Sequence, residues 1–479
     1  MHPLVIALWH DRKDAVEANH PAKRHQSACY GAYISGFEFI IFLTLRDADS
    51  LLLCISDCGG HGLMFARTME LALSSDTKRA MYTRSMLIAL STVLVLKVFW
   101  FSHLGFGEIR ELADFDAFYV GAQRVWLGDI DQAYQFLKFA EMQRQANPGG
   151  AGILLWTYPP QFALVVAPLA FLPVGLAYLA FTATTLGFYL LTLRSIARSY
   201  FALLLVLLFP TLANTVGIGQ NGFLTGGLMG VACMAFSNRQ IVAGLALGSM
   251  VIKPHLAVAL AVYTLLTRRW IVALVAGAVV LASSLVATVL LGPGIWNAFL
   301  EGVRESGIFL EKGVGPLHRM ISPYAALRSA GLPSWVAFAA QGSVATLSVA
   351  AIMFAIRCGF ASRSTLGFVA MVSVLISPYA LDYDLPVLGI GLALLLPEIV
   401  RFGSERERAT IYGLIFLAAI YGLLQAFRLQ LQDGSDYHEH RLLSISGIAL
   451  VLAVILVFRI LLRSHRSKAP EIAAKVTTS

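Results

Sequence analysis

Charged residues are scarce in this 479-residue chain. Asp, Glu, Lys and Arg make up 13% of it and hydrophobic residues 57%, whereas soluble proteins carry about 25% charged residues. This scarcity excludes an ordinary soluble protein and indicates a membrane protein. The apolar runs also lack the alternation of polar and apolar residues that an outer-membrane barrel requires. The five cysteines give no disulfide framework, because two lie inside apolar runs and three lie before residue 60.

The apolar runs predict helices. Many of them approach or exceed the ~18 to 20 residues that a membrane-spanning helix needs. We therefore expect an all-α, polytopic helical membrane protein with about 12 transmembrane helices. The predicted crossings are residues 86–104, 161–192, 200–216, 222–237, 241–252, 255–267, 270–291, 333–357, 364–380, 384–400, 409–427 and 442–462.

Two of these crossings are irregular. Residues 161–192 are too long for one straight span and contain Pro168 and Pro173, which predicts a kink or an interfacial start. The pair 241–252 and 255–267 is too short for two full spans and is broken at "IKPH". Broken backbone at membrane depth is tolerated only inside protein or beside water, so we expect Lys253 to face a polar cavity.

The distribution of Lys and Arg predicts the orientation. The net charge of +8 comes from basic residues in short loops, which set topology and imply no nucleic-acid partner. With a cytoplasmic N-terminal flank, the chain is an inner-membrane protein whose outer loops face the periplasm and hold most of the acidic residues that follow residue 80. The predicted outer segments are residues 105–160, "GIGQNG", residues 293–332, "SPYALDYD" and residues 428–441.

Residues 1–80 differ from the rest of the chain, with several His and Cys residues and one marginal apolar run. We interpret them as a poorly ordered or spurious extension, with Met81 as a plausible start. Residues 81–465 then form the transmembrane domain and residues 466–479 a cytoplasmic tail.

The first outer loop carries two apolar stripes at helical spacing. They predict two amphipathic helices lying on the bilayer surface. The first stripe comprises Phe115, Phe118, Tyr119, Ala122, Val125 and Trp126, and the second Tyr134, Leu137 and Ala140.

Two carboxylates begin the first stripe. Asp114 is either the N-cap of the helix or a catalytic carboxylate, and it can be both. Asp116 has the pattern of a dipole-stabilising surface charge, and Asp131 that of a cap for the second helix.

Several segments together resemble a known family. "DFDAFYVGAQRVWLGD", "YPPQFALVVAPLAFLP", "GIGQNGFLTGGLMG", "GLALGSMVIKPHLAVAL" and "SPYALDYD" occur in the order found in glycosyltransferase family 87. That family belongs to the GT-C superfamily and includes polyprenyl-phosphate-mannose-dependent mannosyltransferases and related arabinofuranosyltransferases. The resemblance covers about residues 86–462, and it implies a GT-C-like fold.

The resemblance implies an enzyme that transfers a sugar, with mannose favoured, from a polyprenyl phosphate to a hydroxyl of a lipid or glycan acceptor. The general base of such enzymes is an aspartate just after the first helix, which is Asp114 here, with Asp116 as the fallback. One base suffices for inverting transfer. The departing phosphate needs a cationic or hydrogen-bonding partner, and the candidates are Lys253, His318 and Arg319.

Further polar residues lie on the outer turns. Gln220 and Asn221 either bind sugar or phosphate or form a tight turn without contact. Asp382, with Asp384 beside it, either binds sugar or caps a helix. Tyr158 is expected to shape the return into the membrane. No dense carboxylate cluster indicates a metal, so we expect neither metal nor cofactor, with membrane lipids as further partners.

The main alternative is a secondary transporter of a small polar or anionic solute, since broken helices and intramembrane lysines are common in transporters. The chain lacks a second copy of the "IKPH" break, which transporters with repeated halves would show. A structural or assembly factor of the same fold without catalysis is the third interpretation.

Overall fold

The apolar runs of the sequence form helices. The computed structural model describes residues 70, 74–102, 112–147, 154–431 and 442–476, all within the unit of residues 63–479. In these residues α-helices and short 3₁₀ turns are the regular elements, and an isolated antiparallel bridge joins Met320 to Leu381.

We number the α-helices of the described residues in chain order. They are α1 (Asp76–Ser102), α2 (Asp114–Leu127), α3 (Phe136–Ala146), α4 (Pro160–Val166), α5 (Val174–Ala197), α6 (Phe201–Ile218), α7 (Gly222–Ala235), α8 (Gln240–Ser249), α9 (Val258–Leu266), α10 (Trp270–Leu291), α11 (Ile295–Lys312), α12 (Pro323–Ser329), α13 (Ser334–Arg357), α14 (Ser362–Ile376), α15 (Leu385–Phe402), α16 (Glu405–Leu431) and α17 (Ser446–Val476).

Seven helical segments of the described residues are long and apolar enough to cross a membrane. Shorter apolar helices of 10–17 residues accompany them, among them α7 and α14. The arrangement supports a polytopic helical membrane protein. The seven segments are Asp76–Ser102, Val174–Ile218, Trp270–Leu291, Ser334–Arg357, Asp382–Phe402, Glu405–Ala426 and Ser446–Ser467.

Both irregular crossings are broken where the sequence predicts it. In the first, α4 and a 3₁₀ turn over Ala167–Phe171 precede α5, which begins after Pro173. In the second, two 3₁₀ turns on either side of Lys253 separate α8 from α9. Pro254 follows Lys253 directly, and a residue before proline is disfavoured in helical conformation.

The first outer loop contains the two predicted helices, α2 and α3, but their apolar faces differ from the prediction. Phe115 packs against Phe101 and Tyr178 with ring centroids 5.4 and 5.5 Å apart, so the first part of the stripe is buried in protein, while Trp126 at its end is 59% exposed. The C-terminal end of α1 and the N-terminal end of α5 supply these aromatic partners.

The second stripe is only partly correct. Leu137 is 53% exposed, and the buried residues of α3 are Phe139, Ala140, Met142 and Gln143. Tyr134 is buried, but it belongs to a 3₁₀ turn that precedes α3. Asp131 lies exposed in that turn and caps neither helix, because Gln135 is the N-cap of α3.

The central outer loop holds an amphipathic helix, α11, that the sequence analysis did not identify. Its buried residues include Ile295, Gly302 and Phe309, which recur every seven positions and mark one helical face. A Cβ on Gly302 would lie 3.0 Å from the Tyr134 carbonyl oxygen. This helix therefore packs on the first outer loop.

The interpretation of residues 1–80 lies outside the described residues, apart from Glu70 and residues 74–80. Helix α1 begins at Asp76, before Met81. Glu70 accepts a hydrogen bond from the Tyr412 hydroxyl at 2.9 Å, and its carboxylate lies 2.9 Å from Nε of Arg408. At the other end of the chain, α17 continues through residues 466–476 of the predicted tail.

Candidate active site

The two carboxylates at the start of α2 have different surroundings. Ala113 is the N-cap, and its amide donates to Oδ2 of Asp116 at 2.8 Å. Asp116 is 3% exposed, so the expectation of a surface charge is wrong: its carboxylate closes the first turn from inside the protein. Asp114 is the first helical residue and does not cap the helix.

The carboxylate of Asp114 faces the interior of a polar cluster. Its Oδ2 is sealed from solvent and has no hydrogen-bond partner among the described residues. Burial raises the pKa of Asp114, while the Arg319 guanidinium and the Gln220 amide act in the opposite direction. A carboxylate with a raised pKa and an unused oxygen has the properties of a general base.

The turn between α6 and α7 brings Gln220 and Asn221 to this cluster. Gly219 ends α6 with φ of 70°, and a Cβ there would lie 2.7 Å from the Phe115 side chain. Only glycine lets the turn pass so close to α2. The Gln220 amide exchanges hydrogen bonds with the Tyr158 hydroxyl at 3.1 and 3.2 Å. Tyr158 therefore orders the cluster, a role that exceeds the predicted one of shaping the chain return.

Lys253 lies at the break between α8 and α9, where no helix continues. Its Nζ donates to Oδ1 of Asp384 at 2.6 Å and to Oδ1 of Asn221 at 3.2 Å, and it lies 4.5 Å from the centroid of the Tyr383 ring. Lys253 is 6% exposed. The polar surroundings predicted for Lys253 are thus provided by polar side chains, and Asp384 is its counter-ion.

Arg319 forms the second ion pair of the cluster. Its Nε and Nη2 donate to the two carboxylate oxygens of Asp382 at 3.1 and 3.0 Å, a bidentate arrangement. The backbone holds these residues opposite each other, because Met320 bridges Leu381 and the Ile321 amide donates to the Ala380 carbonyl at 2.9 Å.

Asp382, Tyr383 and Asp384 form one 3₁₀ turn before α15, which we call the acidic turn. Its two carboxylates diverge to the two cations, and the Tyr383 ring lies beside both, 5.7 Å from the Arg319 guanidinium carbon. Asp384 also accepts from the Leu381 amide at 3.1 Å, so the capping alternative holds for Asp384.

His318 precedes Arg319 at the edge of the cluster and is half-buried. Burial and the neighbouring Arg319 charge lower the pKa of His318 to about 4. Its imidazole is therefore neutral at physiological pH, so it is available there as a hydrogen-bonding group rather than as a cation.

The structure brings seven of the predicted residues into one region and leaves Asp116 outside it. The seven are Asp114, Gln220, Asn221, Lys253, His318, Arg319 and Asp382. Tyr383 and the pairing of Asp384 with Lys253 were not predicted from the sequence. The one sequence signal for them was the spacing of two aspartates around a tyrosine in "DYD".

The charges of the cluster do not balance. Lys253 and Arg319 each pair with one carboxylate of the acidic turn, which leaves Asp114 as the uncompensated carboxylate among these five groups. No group of three or more His, Cys, Asp or Glu residues able to hold a metal occurs in the described part of the chain. The absence of a metal requirement stays a prediction.

Residues 156–378 match the model of glycosyltransferase family 87, which confirms the resemblance found in the sequence. The matched segment includes Tyr158, Gln220, Lys253 and Arg319, while Asp114 and the acidic turn lie outside it. No curated protein and no solved structure matches the chain.

Proposed function

From the match of residues 156–378 to the model of glycosyltransferase family 87, we propose that the protein transfers a sugar from a polyprenyl phosphate to a hydroxyl of a lipid or glycan acceptor. The uncompensated carboxylate of Asp114 carries the proposal. A glycosyl transfer with inversion needs one base and, beside it, groups that stabilise the departing phosphate. The cluster offers both. Mannose is the favoured sugar because it is common among the donors of this family.

The reaction is a single displacement. The acceptor oxygen forms a bond to the anomeric carbon while the bond from that carbon to the phosphate oxygen breaks. The electron pair of the broken bond stays on the phosphate, and the proton of the acceptor hydroxyl moves to Asp114. The products are an inverted glycoside and a polyprenyl phosphate.

Arg319, Lys253 and His318 stabilise the departing phosphate in this scheme. Arg319 uses Nε and Nη2 in its pair with Asp382, which leaves the Nη1 donors for a ligand. The neutral imidazole of His318 supplies a further hydrogen bond. Removing one such donor from a buried site typically costs about 2.7 to 4 kcal/mol of transition-state stabilisation.

The substrates fit a site at the membrane surface. The cluster lies where the first outer loop, the turn after α6 and the acidic turn meet, and these are the segments that the charge distribution places on the periplasmic side. We place the protein in the inner membrane with a GT-C-like fold of about 12 crossings, counting the shorter apolar helices as spans. The polyprenyl chain then stays in lipid while its phosphate reaches Arg319.

The test uses purified protein and a panel of radiolabelled polyprenyl-phosphate sugars with a lipid-extract acceptor. We expect Asp114→Asn to fold and to lose transfer by at least about 10²-fold, the usual contribution of a general base. Asp116→Asn retains an oxygen for the Ala113 amide and should stay active, as should Asp131→Asn, a change of an exposed carboxylate in the same loop.

Two results would contradict the proposal in different ways. Transfer by Asp114→Asn together with an inactive, folded Asp116→Asn would assign the base two residues further along. Absence of transfer with every donor, combined with uptake of a polar solute into vesicles, would favour the transporter instead.

A further inference from the structure

Arg319 is the cation that lowers the pKa of Asp114 most, yet it pairs with another carboxylate. Its planar guanidinium is held by both oxygens of Asp382, and Asp382 is 1% exposed. Asp114, in contrast, keeps a sealed oxygen with no donor among the described residues. An arginine beside two carboxylates can form an ion pair with either of them. Here Arg319 pairs with Asp382 and not with Asp114.

We propose that Asp382 is a positioning residue, which holds Arg319 in a bidentate pair and thereby keeps the guanidinium from pairing with Asp114. This inference rests on the proposed function, in which Asp114 is the base. It assigns the acidic turn a role other than sugar or metal binding. Asp382 acts through Arg319 and touches neither substrate.

The surroundings of Asp382 fix its carboxylate. Its backbone carbonyl accepts from the Thr211 hydroxyl at 2.5 Å, which ties the acidic turn to α6. On the other side lies Gly422 of α16, where a Cβ would be 2.5 Å from Oδ2 of Asp382. Glycine at this position leaves only enough room for the carboxylate in its present orientation.

The groups that face Asp114 come from several elements. Besides Arg319 and Asp382 they are Lys253 at the break after α8, Tyr158 before α4 and Tyr383 of the acidic turn. Lys253 is held by Asp384 in the same manner as Arg319 by Asp382. Burial raises the pKa of Asp114 and Arg319 lowers it. A guanidinium released from Asp382 would therefore lower that pKa further and weaken the base.

The first experiment measures the pH dependence of kcat/KM for sugar transfer by the full-length protein. In Asp382→Asn, we expect the acidic limb of the profile to move down by about one pH unit and the plateau to fall about tenfold. Arg319→Gln combined with Asp382→Asn should return the limb to its original position, since no guanidinium remains to pair with Asp114.

The second experiment changes no charge. Gly422→Ala places a methyl group against the Asp382 carboxylate and should shift the acidic limb in the same direction. The control is Gly413→Ala on the same helix, where a Cβ meets no atom within 4 Å, so its profile should remain that of the unmodified protein. Both variants retain every charged group, which separates positioning from loss of a charge.

An unchanged acidic limb in folded Asp382→Asn and in Gly422→Ala would overturn the inference. So would a limb that stays displaced in the Arg319→Gln, Asp382→Asn double variant. These outcomes differ from failure of the proposed function, because that failure appears as retained transfer in Asp114→Asn whatever the result at Asp382.

Discussion

The Nζ of Lys253 lies 2.6 Å from Oδ1 of Asp384, although 131 residues separate them in the chain and their side chains are only 7% and 0% exposed. One partner comes from the break in an apolar helix pair and the other from the acidic turn. The pair therefore joins the two irregular segments that flank the candidate active site.

Lys253→Met should destabilise the protein more than the double variant Lys253→Met, Asp384→Asn. The single change leaves a buried carboxylate without a counter-ion, which typically costs about 3 to 5 kcal/mol, while the double change removes both charges. Thermal unfolding in detergent measures the difference. Equal melting temperatures for the single and double variants would show that the pair is not coupled.

Asp114→Asn should make the protein more stable at pH 7 while it abolishes sugar transfer. Burial raises the pKa of Asp114 in the folded protein, so folding favours its protonated form. Below the ordinary aspartate pKa of about 3.9, Asp114 is protonated in both the folded and the unfolded protein and costs no stability. As pH rises through the raised pKa of the folded protein, that stability is lost. The increase in melting temperature should therefore be present at pH 7 and vanish near pH 3.5. A lower melting temperature at pH 7 would contradict this account.

His318 should contribute no ionisation to the activity profile near pH 6.5. Its pKa is lowered to about 4, so the imidazole is already neutral when pH rises above about 5. His318→Gln keeps an N–H donor and should retain more activity than His318→Ala, for which a loss of about 10² to 10³ in kcat is expected. A limb near pH 6.5 that disappears in His318→Gln would argue for a cationic role.

Gly222→Ala should displace the acidic turn. A Cβ at this position would lie 1.8 Å from the Tyr383 carbonyl oxygen, so the backbone that carries both carboxylates must move. We expect a loss of about 1 to 3 kcal/mol in stability, together with a fall in transfer. Gly342→Ala on α13 is the matched control, because a Cβ there meets nothing within 4 Å. Unfolding curves and transfer rates of the two variants measure the contrast.

The proposed orientation predicts that a cysteine at position 131 is labelled by an impermeant thiol reagent in intact cells. Asp131 is exposed in the first outer loop, so Asp131→Cys presents an accessible thiol. Cys358, which is free and exposed at the C-terminal end of α13, is the control. It is predicted to lie on the cytoplasmic side and should react only after permeabilisation. The other native cysteines are replaced by serine. Reversed labelling of the two positions would reverse the topology.

The sequence determined the apolar helices. Hydrophobic content over a span is a local property, so the predicted crossing 270–291 coincides with α10 at Trp270–Leu291, and 222–237 begins with α7 at Gly222. The break at Lys253 was also readable, because proline disfavours helical conformation in the residue before it. The residue types of the site followed from the family resemblance and from the position of polar residues on predicted outer turns.

Only the tertiary structure decided which residues pair. Arg319 and Asp382 are 63 positions apart and Tyr158 and Gln220 are 62 apart, and no local pattern connects them. Helix packing determines which loops meet, and with them which carboxylate neutralises which cation. It also distinguished the two aspartates of α2, because burial and the direction of the first helical turn assign Asp116 to the backbone and leave Asp114 uncompensated.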